Sequence, residues 1–297
     1  MKTYVEIKPG IPALRYLMTY GFLTWLAKRA AKRKHRMFTM LSGSIDRHIL
    51  AEGCFEAGVI DLLDELCRKT GYTRRMIDIG ANIGNHSISL SHVFDKINCV
   101  EPHPVLFKIL EANVLINNLG HITRHNIGLA NENSSGTLVE SETEHGLSRV
   151  RERSQLPPEV FGLSSEQFGI EHTVELVSAE AFVRQFDVDL DRTFIKIDVE
   201  GMEEEIMMAL GPIFAEFKPL VGFEWFTSSQ PRLAEFVTNM PGYELWGIRV
   251  HDTGRNYLKR ASMMLFQGRF YTLERLDPSR LDPVYPLAFM VPEGILG

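Results

Sequence analysis

A chain of 297 residues, 44% hydrophobic and 24% charged, has the composition of an ordinary globular protein and is long enough to bury a sizeable core. Its net charge of −6 and pI near 6.0 argue against a nucleic-acid partner, which would favour a basic face. Three cysteines, Cys54, Cys67 and Cys99, are odd in number and lack metal-ligand spacing, so they read as reduced thiols of a cytoplasmic protein.

Residues 11–36 are expected to form a helix, apolar from Tyr16 to Ala27 and then basic at Lys28, Arg29, Lys32, Arg33, Lys34 and Arg36. The apolar part falls well short of the ~20 residues needed to cross a bilayer. Two readings stay open. One is a helix packed on the rest of the chain with a solvated basic end. The other is a peripheral anchor over residues 16–36, with Phe22, Trp25 and Leu26 dipping into the anionic headgroups of an inner membrane face. A cleavable signal is disfavoured, because the basic cluster follows the apolar run. Gly43 to Thr70 reads as two helical pieces around Glu52 and Gly53, the second carrying Val59, Leu62, Leu63, Leu66 and Cys67 at helical spacing. Residues 1–70 thus form an N-terminal helical extension ahead of one α/β domain over 71–297.

Met76 to Asn85 reads M-I-D-I-G-A-N-I-G-N, an apolar strand running into a glycine-bearing turn. Asp78 falls at the carboxyl end of the strand, where open α/β sheets face their ligands. Gly80 and Gly84 permit backbone angles closed to other residues, and with Asn82 and Asn85 they make this turn a candidate cofactor loop. A helix is expected from Ile83 to Phe94. Lys96 to Val100 is a second strand ending in Glu101, about 20 residues beyond Gly80, where dinucleotide-type folds grip ribose hydroxyls. A nicotinamide enzyme would show G-x-G-x-x-G, but Asn82 and Asn85 stand in the second and third glycine positions. A nucleoside without a pyrophosphate, such as S-adenosylmethionine (SAM), fits better.

Pro104 to Asn118 is an apolar-periodic helix opened by proline. Ile122 to Leu129 reads as a third strand, which places Asn126 and Ile127 beside the adenine. Residues 131–136 are dense in turn formers, so Thr137 to Glu140 is expected to return antiparallel. The Pro-, Ser- and Gly-bearing segment 154–172 is too long for a simple connection and reads as a lid or an interface. Thr193 to Asp198 is the fourth strand. Lys196 in its middle is costly unless paired, with Asp78 and Glu224 the nearest acids on flanking strands. Glu200 and Gly201 lead into a helix from Met202 to Leu210, whose Glu203, Glu204 and Glu205 suit a helix first turn. Val221 to Phe226, Tyr243 to Val250 and Leu287 to Val291 complete the strands. The expected fold is α/β, with a doubly wound, mostly parallel seven-stranded sheet and one antiparallel edge.

The blocks I-D-I-G-A-N-I-G-N, V-E-P-H-P and F-I-K-I-D-V-E-G-M-E-E-E, taken together and in this order, resemble the FkbM type of SAM-dependent methyltransferase. The resemblance runs from about Gly43 to the C-terminus and implies a class I, Rossmann-like methyltransferase. Characterised members mostly methylate hydroxyls of sugars or natural products, so a small-molecule or glycan hydroxyl is the implied acceptor. The absence of an Asn-Pro-Pro-Tyr block after the fourth strand disfavours an amide or nucleobase nitrogen. The family also implies that the helices before the first strand border the acceptor pocket. Asp46, Arg47, His48 and Glu56 are then acceptor contacts, or simply polar residues of a packed helix. His145 stands where the family more often has Asn.

A hydroxyl acceptor must lose its proton, and Asp198 and Glu200 are the best-placed general bases, with Lys196 orienting a carboxylate. The competing reading of these three is a buried ion-paired network that closes the sheet. His103 and His145 are weaker base candidates. Asp198 and Glu200 also suit Mg²⁺ in ligand type, without a cluster of convincing ligand spacing. Two further classes compete with a transferase: a SAM-binding or interaction module that transfers nothing, and a dehydrogenase, which the missing glycines oppose.

Overall fold

The computed structural model describes residues 52–141, 148–154, 168–227, 229–251 and 270–296, together with 18, 20, 21, 35–39, 48 and 49. Most of the helix expected over 11–36, with its membrane-facing reading, lies outside the described residues, as do Asp46, Arg47, His145 and most of segment 154–172. No helix among the described residues is long and apolar enough to cross a membrane.

Helix α1 (Ala57–Thr70) buries Val59, Ile60, Leu63, Leu66 and Cys67 on one stripe and stops at Gly71, whose φ of 78° is the left-handed cap that glycine allows. Strand β1 (Arg75–Ile79) is buried along its whole length, as a central parallel strand must be. Helix α2 spans only Asn85–Ser89. The helix expected to continue to Phe94 breaks at Leu90, because the Asp95 N–H must pair with the Thr73 carbonyl to start β2 (Lys96–Val100) in register beside β1. Leu90, Val93 and Phe94 are buried all the same, which is why their apolar spacing mimics a helix.

Helix α3 (Pro104–Ile116) and strand β3 (Ile122–His125) follow. The strand expected to run on to Leu129 divides at Asn126, and β4 (Gly128–Ala130) joins a different sheet. That second sheet takes β5 (Ser134–Ser141), β6 (Ser148–Val150) and β7 (Phe168–Ser178), in the order β4-β7-β5-β6. The return strand expected over 137–140 is therefore the end of β5, and the described end of the lid segment is the start of β7. Helix α4 (Ala179–Arg184) leads to β8 (Thr193–Ile197). Then come α5 (Glu203–Ala209), α6 (Gly211–Phe217), β9 (Leu220–Phe226), α7 (Pro231–Asn239), β10 (Tyr243–His251), β11 (Phe270–Arg275) and β12 (Val284–Pro292).

The main sheet has eight strands in the order β11-β10-β12-β9-β8-β1-β2-β3. From β9 through β3 neighbouring strands are parallel, whereas β12 runs antiparallel between β9 and β10. This is the expected doubly wound α/β fold, with β11 added on the edge beyond the seven strands foreseen. The strand period of two sorts the core. Met76, Ile97, Phe194 and Leu220 face the cluster under α1 and α3, while Ile77, Val100, Ile195 and Val221 face the cluster under α4 to α7. The chain moves outward from β1 to β2 and β3 and later returns to lay β8 on the other side of β1, so the strand order reverses at β1, and the crevice for a ligand is expected outside its carboxyl end.

The chain before α1 is fastened by asparagines. On α3, the Asn117 amide accepts from the Arg36 N–H at 2.8 Å and donates to its carbonyl at 2.6 Å. Asn113 treats Phe38 the same way, at 2.6 and 3.2 Å, and also donates to the Ile83 carbonyl at 2.9 Å.

A tight approach of two backbones is found at Gly80. Its φ is +81°, and a Cβ there would lie 1.7 Å from the Asp198 carbonyl oxygen. Gly80→Ala should therefore cost more than the ~1–2 kcal/mol of a left-handed backbone alone. Urea unfolding measures it, and a variant as stable as the parent would mean that β1 and β8 do not close as described.

Candidate active site

Four strand ends converge at the switch point. After β1 the chain turns sharply: the N–H groups of Gly80 and Ala81 both donate to the Val100 carbonyl at 3.0 Å, and Gly84 N–H closes on Ala81. Asn82 takes a left-handed backbone at φ 53° and Gly84 one at φ 90°. This geometry aims the Asn82 N–H at Glu101 Oε2, 2.8 Å away. The His103 N–H donates to Glu101 Oε1, also at 2.8 Å. Each oxygen keeps a second lone pair. Burial, the largest influence, together with the nearby Asp78 and Asp198 charges pushes the Glu101 carboxyl up to about 7, although the two N–H groups favour its ionised form.

Asp78 and Lys196 sit opposite one another in the β1/β8 register. Asp78 is 1% exposed; its Oδ2 accepts from the Ser87 hydroxyl at 2.6 Å and its Oδ1 lies 3.5 Å from Lys196 Nζ. The same ammonium donates to Asp198 Oδ2 at 3.0 Å. Burial alone would drive the Lys196 ammonium down, but Asp198 and Asp78 outweigh it and hold it charged well above its ordinary range. Lys196 is enclosed at 2% exposure, while the Asp198 side chain, at the carboxyl end of β8, is 35% exposed. The ion-paired network and the base candidate are thus two ends of one structure.

Glu200 holds a left-handed backbone at φ 54° ahead of Gly201. Its carboxyl and that of Glu224 are raised well above the usual range, first by burial and then by repulsion from Asp198 and one another's neighbours, with Lys196 opposing. The three glutamates of α5 are structural. Glu203 accepts from the N–H groups of Val199 and Gly201 and from Gln230, Glu204 accepts from the Leu233 N–H, and Glu205 pairs with Arg153.

The remaining expected contacts distribute differently. Asn85 is not turned to the cleft: its amide pairs both ways with the Phe55 backbone, at 2.8 and 3.0 Å, and so ties the chain before α1 over the glycine turn. Glu56, just beyond, lies 3.6 Å from His86 and adds its charge to those holding Lys196. His48 packs its ring against Phe55. Asn126 donates to the Glu101 and Pro102 carbonyls at 2.9 and 3.1 Å, buttressing the end of β2, and Ile127 packs on the core.

Among the described residues, Asp198 and Glu200 do not form a group able to share a metal ion. The one such group is His103, Glu140 and His172, where β5 and β7 meet the start of α3. Sequence reasoning rated His103 only as a weak base and passed over its place as the residue before Pro104, which makes it the cap of α3.

The family model described as the methyltransferase FkbM domain matches residues 78–246, more than half of the chain. No curated protein matches at a significant level. Among solved structures, the chain is similar to a methyltransferase FkbM from Methylobacillus flagellatus KT, with 17% identity over 74% of this chain and a TM-score of 0.43. It spans only 44% of that protein's length. It is also similar to a putative caffeoyl-CoA O-methyltransferase from Staphylococcus aureus (11% identity, 84% of this chain, 92% of that one, TM-score 0.42). A third is a precorrin-6y C5,15-methyltransferase from Geobacter metallireducens GS-15 (13% identity, 86% and 95%, TM-score 0.39).

Removing the lysine alone should leave Asp78 as a buried charge without its counter-ion. Lys196→Met is expected to cost roughly 3–5 kcal/mol in urea unfolding, and the double variant Lys196→Met/Asp78→Asn to recover most of that. Full stability of the single variant would show that the pair is not buried as described.

Proposed function

Because this chain belongs to the FkbM methyltransferase family, we propose that it takes a methyl group from SAM and places it on a hydroxyl of a sugar, glycan or natural product. The observation that carries this reading is the pair of carboxylates across the switch point: Glu101, gripped from both sides by backbone N–H groups, and Asp198, braced by a buried ammonium.

The residues present fit such a donor. The side-chain-free Gly80 and Gly84 open the turn after β1, Glu101 has lone pairs left for two ribose hydroxyls, and Asn126 and Ile127 border the adenine side. Asp78 acts at one remove, through Ser87 and Lys196, and Asn82 through the N–H it lends to Glu101. When bound, the donor supplies an electrophilic methyl on a sulfonium. The chain's own task is to align an acceptor hydroxyl with it and accept the proton. Asp198 is the base we assign, with a side chain 35% exposed and its Oδ2 fixed by Lys196; Lys196 is a positioning residue. Burial and the neighbouring acids hold the Glu200 and Glu224 carboxyls above the usual range, which favours their protonated forms beside it. The alternative reading, a SAM-binding module that transfers nothing, needs the ion pair only to fix the β1/β8 register and predicts no loss of turnover beyond what stability explains when Asp198 is changed.

S-adenosylhomocysteine should raise the melting temperature, by about 2.7 kcal/mol of stabilisation at a hundredfold excess over Kd, and NAD should not. In the donor-free protein Glu101 carries its proton below about 7, and the ionised carboxylate is the better acceptor for ribose hydroxyls. Affinity for S-adenosylhomocysteine should accordingly strengthen as pH rises through about 7, and Glu101→Gln should flatten that profile. No thermal shift with either donor form would end the reading.

Asp198→Asn keeps shape but removes proton acceptance. Turnover on an acceptor found by screening hydroxyl compounds should fall ~10²- to 10⁴-fold with S-adenosylhomocysteine affinity unchanged. A variant as active as the parent would take Asp198 out of the mechanism.

A further inference from the structure

His103 makes five polar contacts from a site of zero exposure, one of them its carbonyl accepting from the Phe107 N–H in the first turn of α3. Its N–H donates to Glu101 Oε1. Its Nδ1 accepts from the N–H groups of Val105 and Leu106, at 3.2 and 3.4 Å, as the cap of α3. Its Nε2 lies 3.0 Å from Glu140 Oε2 on β5. The same Glu140 oxygen lies 3.3 Å from His172 Nε2 on β7, and the two imidazoles are 4.6 Å apart.

These contacts fix the tautomer. A nitrogen that faces two N–H donors must offer its lone pair, so the proton of the neutral ring sits on Nε2 and is donated to Glu140. Burial supports this by holding the imidazole below its ordinary range against the pull of Glu140. To give Nε2 to a metal the ring would have to carry its proton on Nδ1, where it would face the two N–H donors of the cap, so these contacts oppose ligation by His103 although the three residues have suitable ligand types.

We propose that His103 is a positioning residue for the donor: Glu140, steadied by His172, holds the His103 side chain, and His103 in turn holds the carboxylate of Glu101 through its backbone N–H. The small sheet then sets the geometry of a ribose contact that belongs to the large one. This inference rests on Glu101 being the ribose ligand.

The test is calorimetric titration with S-adenosylhomocysteine alongside melting curves. His103→Asn keeps an N-cap acceptor but cannot span to Glu140. Glu140→Leu removes the partner while leaving the imidazole, and Glu140→Gln restores an acceptor for Nε2–H. The first two should weaken S-adenosylhomocysteine about tenfold, the scale of one hydrogen bond to a charged group. Glu140→Gln should bind like the parent. If His103→Asn fails to fold, Glu140→Leu and Glu140→Gln still decide.

Parental affinity in Glu140→Leu with only a lowered melting temperature would overturn the proposal and leave a purely structural cluster. Stoichiometric zinc binding by the parent, lost in Glu140→Leu, would overturn it too, because Nε2 would then be a ligand. Glu101→Gln separates the underlying reading: if that variant binds S-adenosylhomocysteine as tightly as the parent, the ribose assignment itself fails.

Discussion

A single ammonium buried between two carboxylates governs this fold. Lys196 occupies the middle of a strand closed on both faces, where an isolated charge would cost several kcal/mol. It is tolerable only because Asp78 arrives opposite it in the β1/β8 register and Asp198 lies on the same face of its own strand. A one-residue slip between these strands would turn Asp78 to the other face and leave the lysine alone. The ion pair is thus a register lock as well as a charge site, and it holds Asp198 at the mouth of the cleft.

The same closure dictates the glycine. The carbonyl of Asp198 approaches Gly80 so closely that no side chain fits between them, and the turn that begins there delivers the Asn82 N–H to Glu101. Carboxylates from β2 and β8 are therefore fixed by one pair of contacts, at the one place where the strand order reverses. The second sheet adds its constraint through Glu140 and His103, and the chain before α1 adds another through Asn85.

Much of this was legible in the sequence, for local reasons. The acids at strand ends, the glycines of the turn and the misplaced lysine are each anomalous against their neighbours, and the short apolar runs around them predicted β1, β2, β8 and β9 correctly. What escaped depends on partners distant in the chain. Leu90, Val93 and Phe94 have helical spacing but lie in a turn, because β2 must start at Lys96. Asn85 looked like a ligand contact, but its partner is the Phe55 backbone, which no local pattern reveals. The division at Asn126 and the whole second sheet follow from β4 pairing with β7, across nearly fifty intervening residues.

The asparagine pairs carry a consequence for how the chain can vary. Asn85, Asn113 and Asn117 each grip both backbone polar groups of one residue, Phe55, Phe38 and Arg36. An amide that reads the main chain is indifferent to which side chain that residue bears, so the gripped segment is free to drift in sequence while its length and its three asparagines are not. An insertion between residues 36 and 38 would misalign two grips whose asparagines stand four residues, about one helical turn, apart.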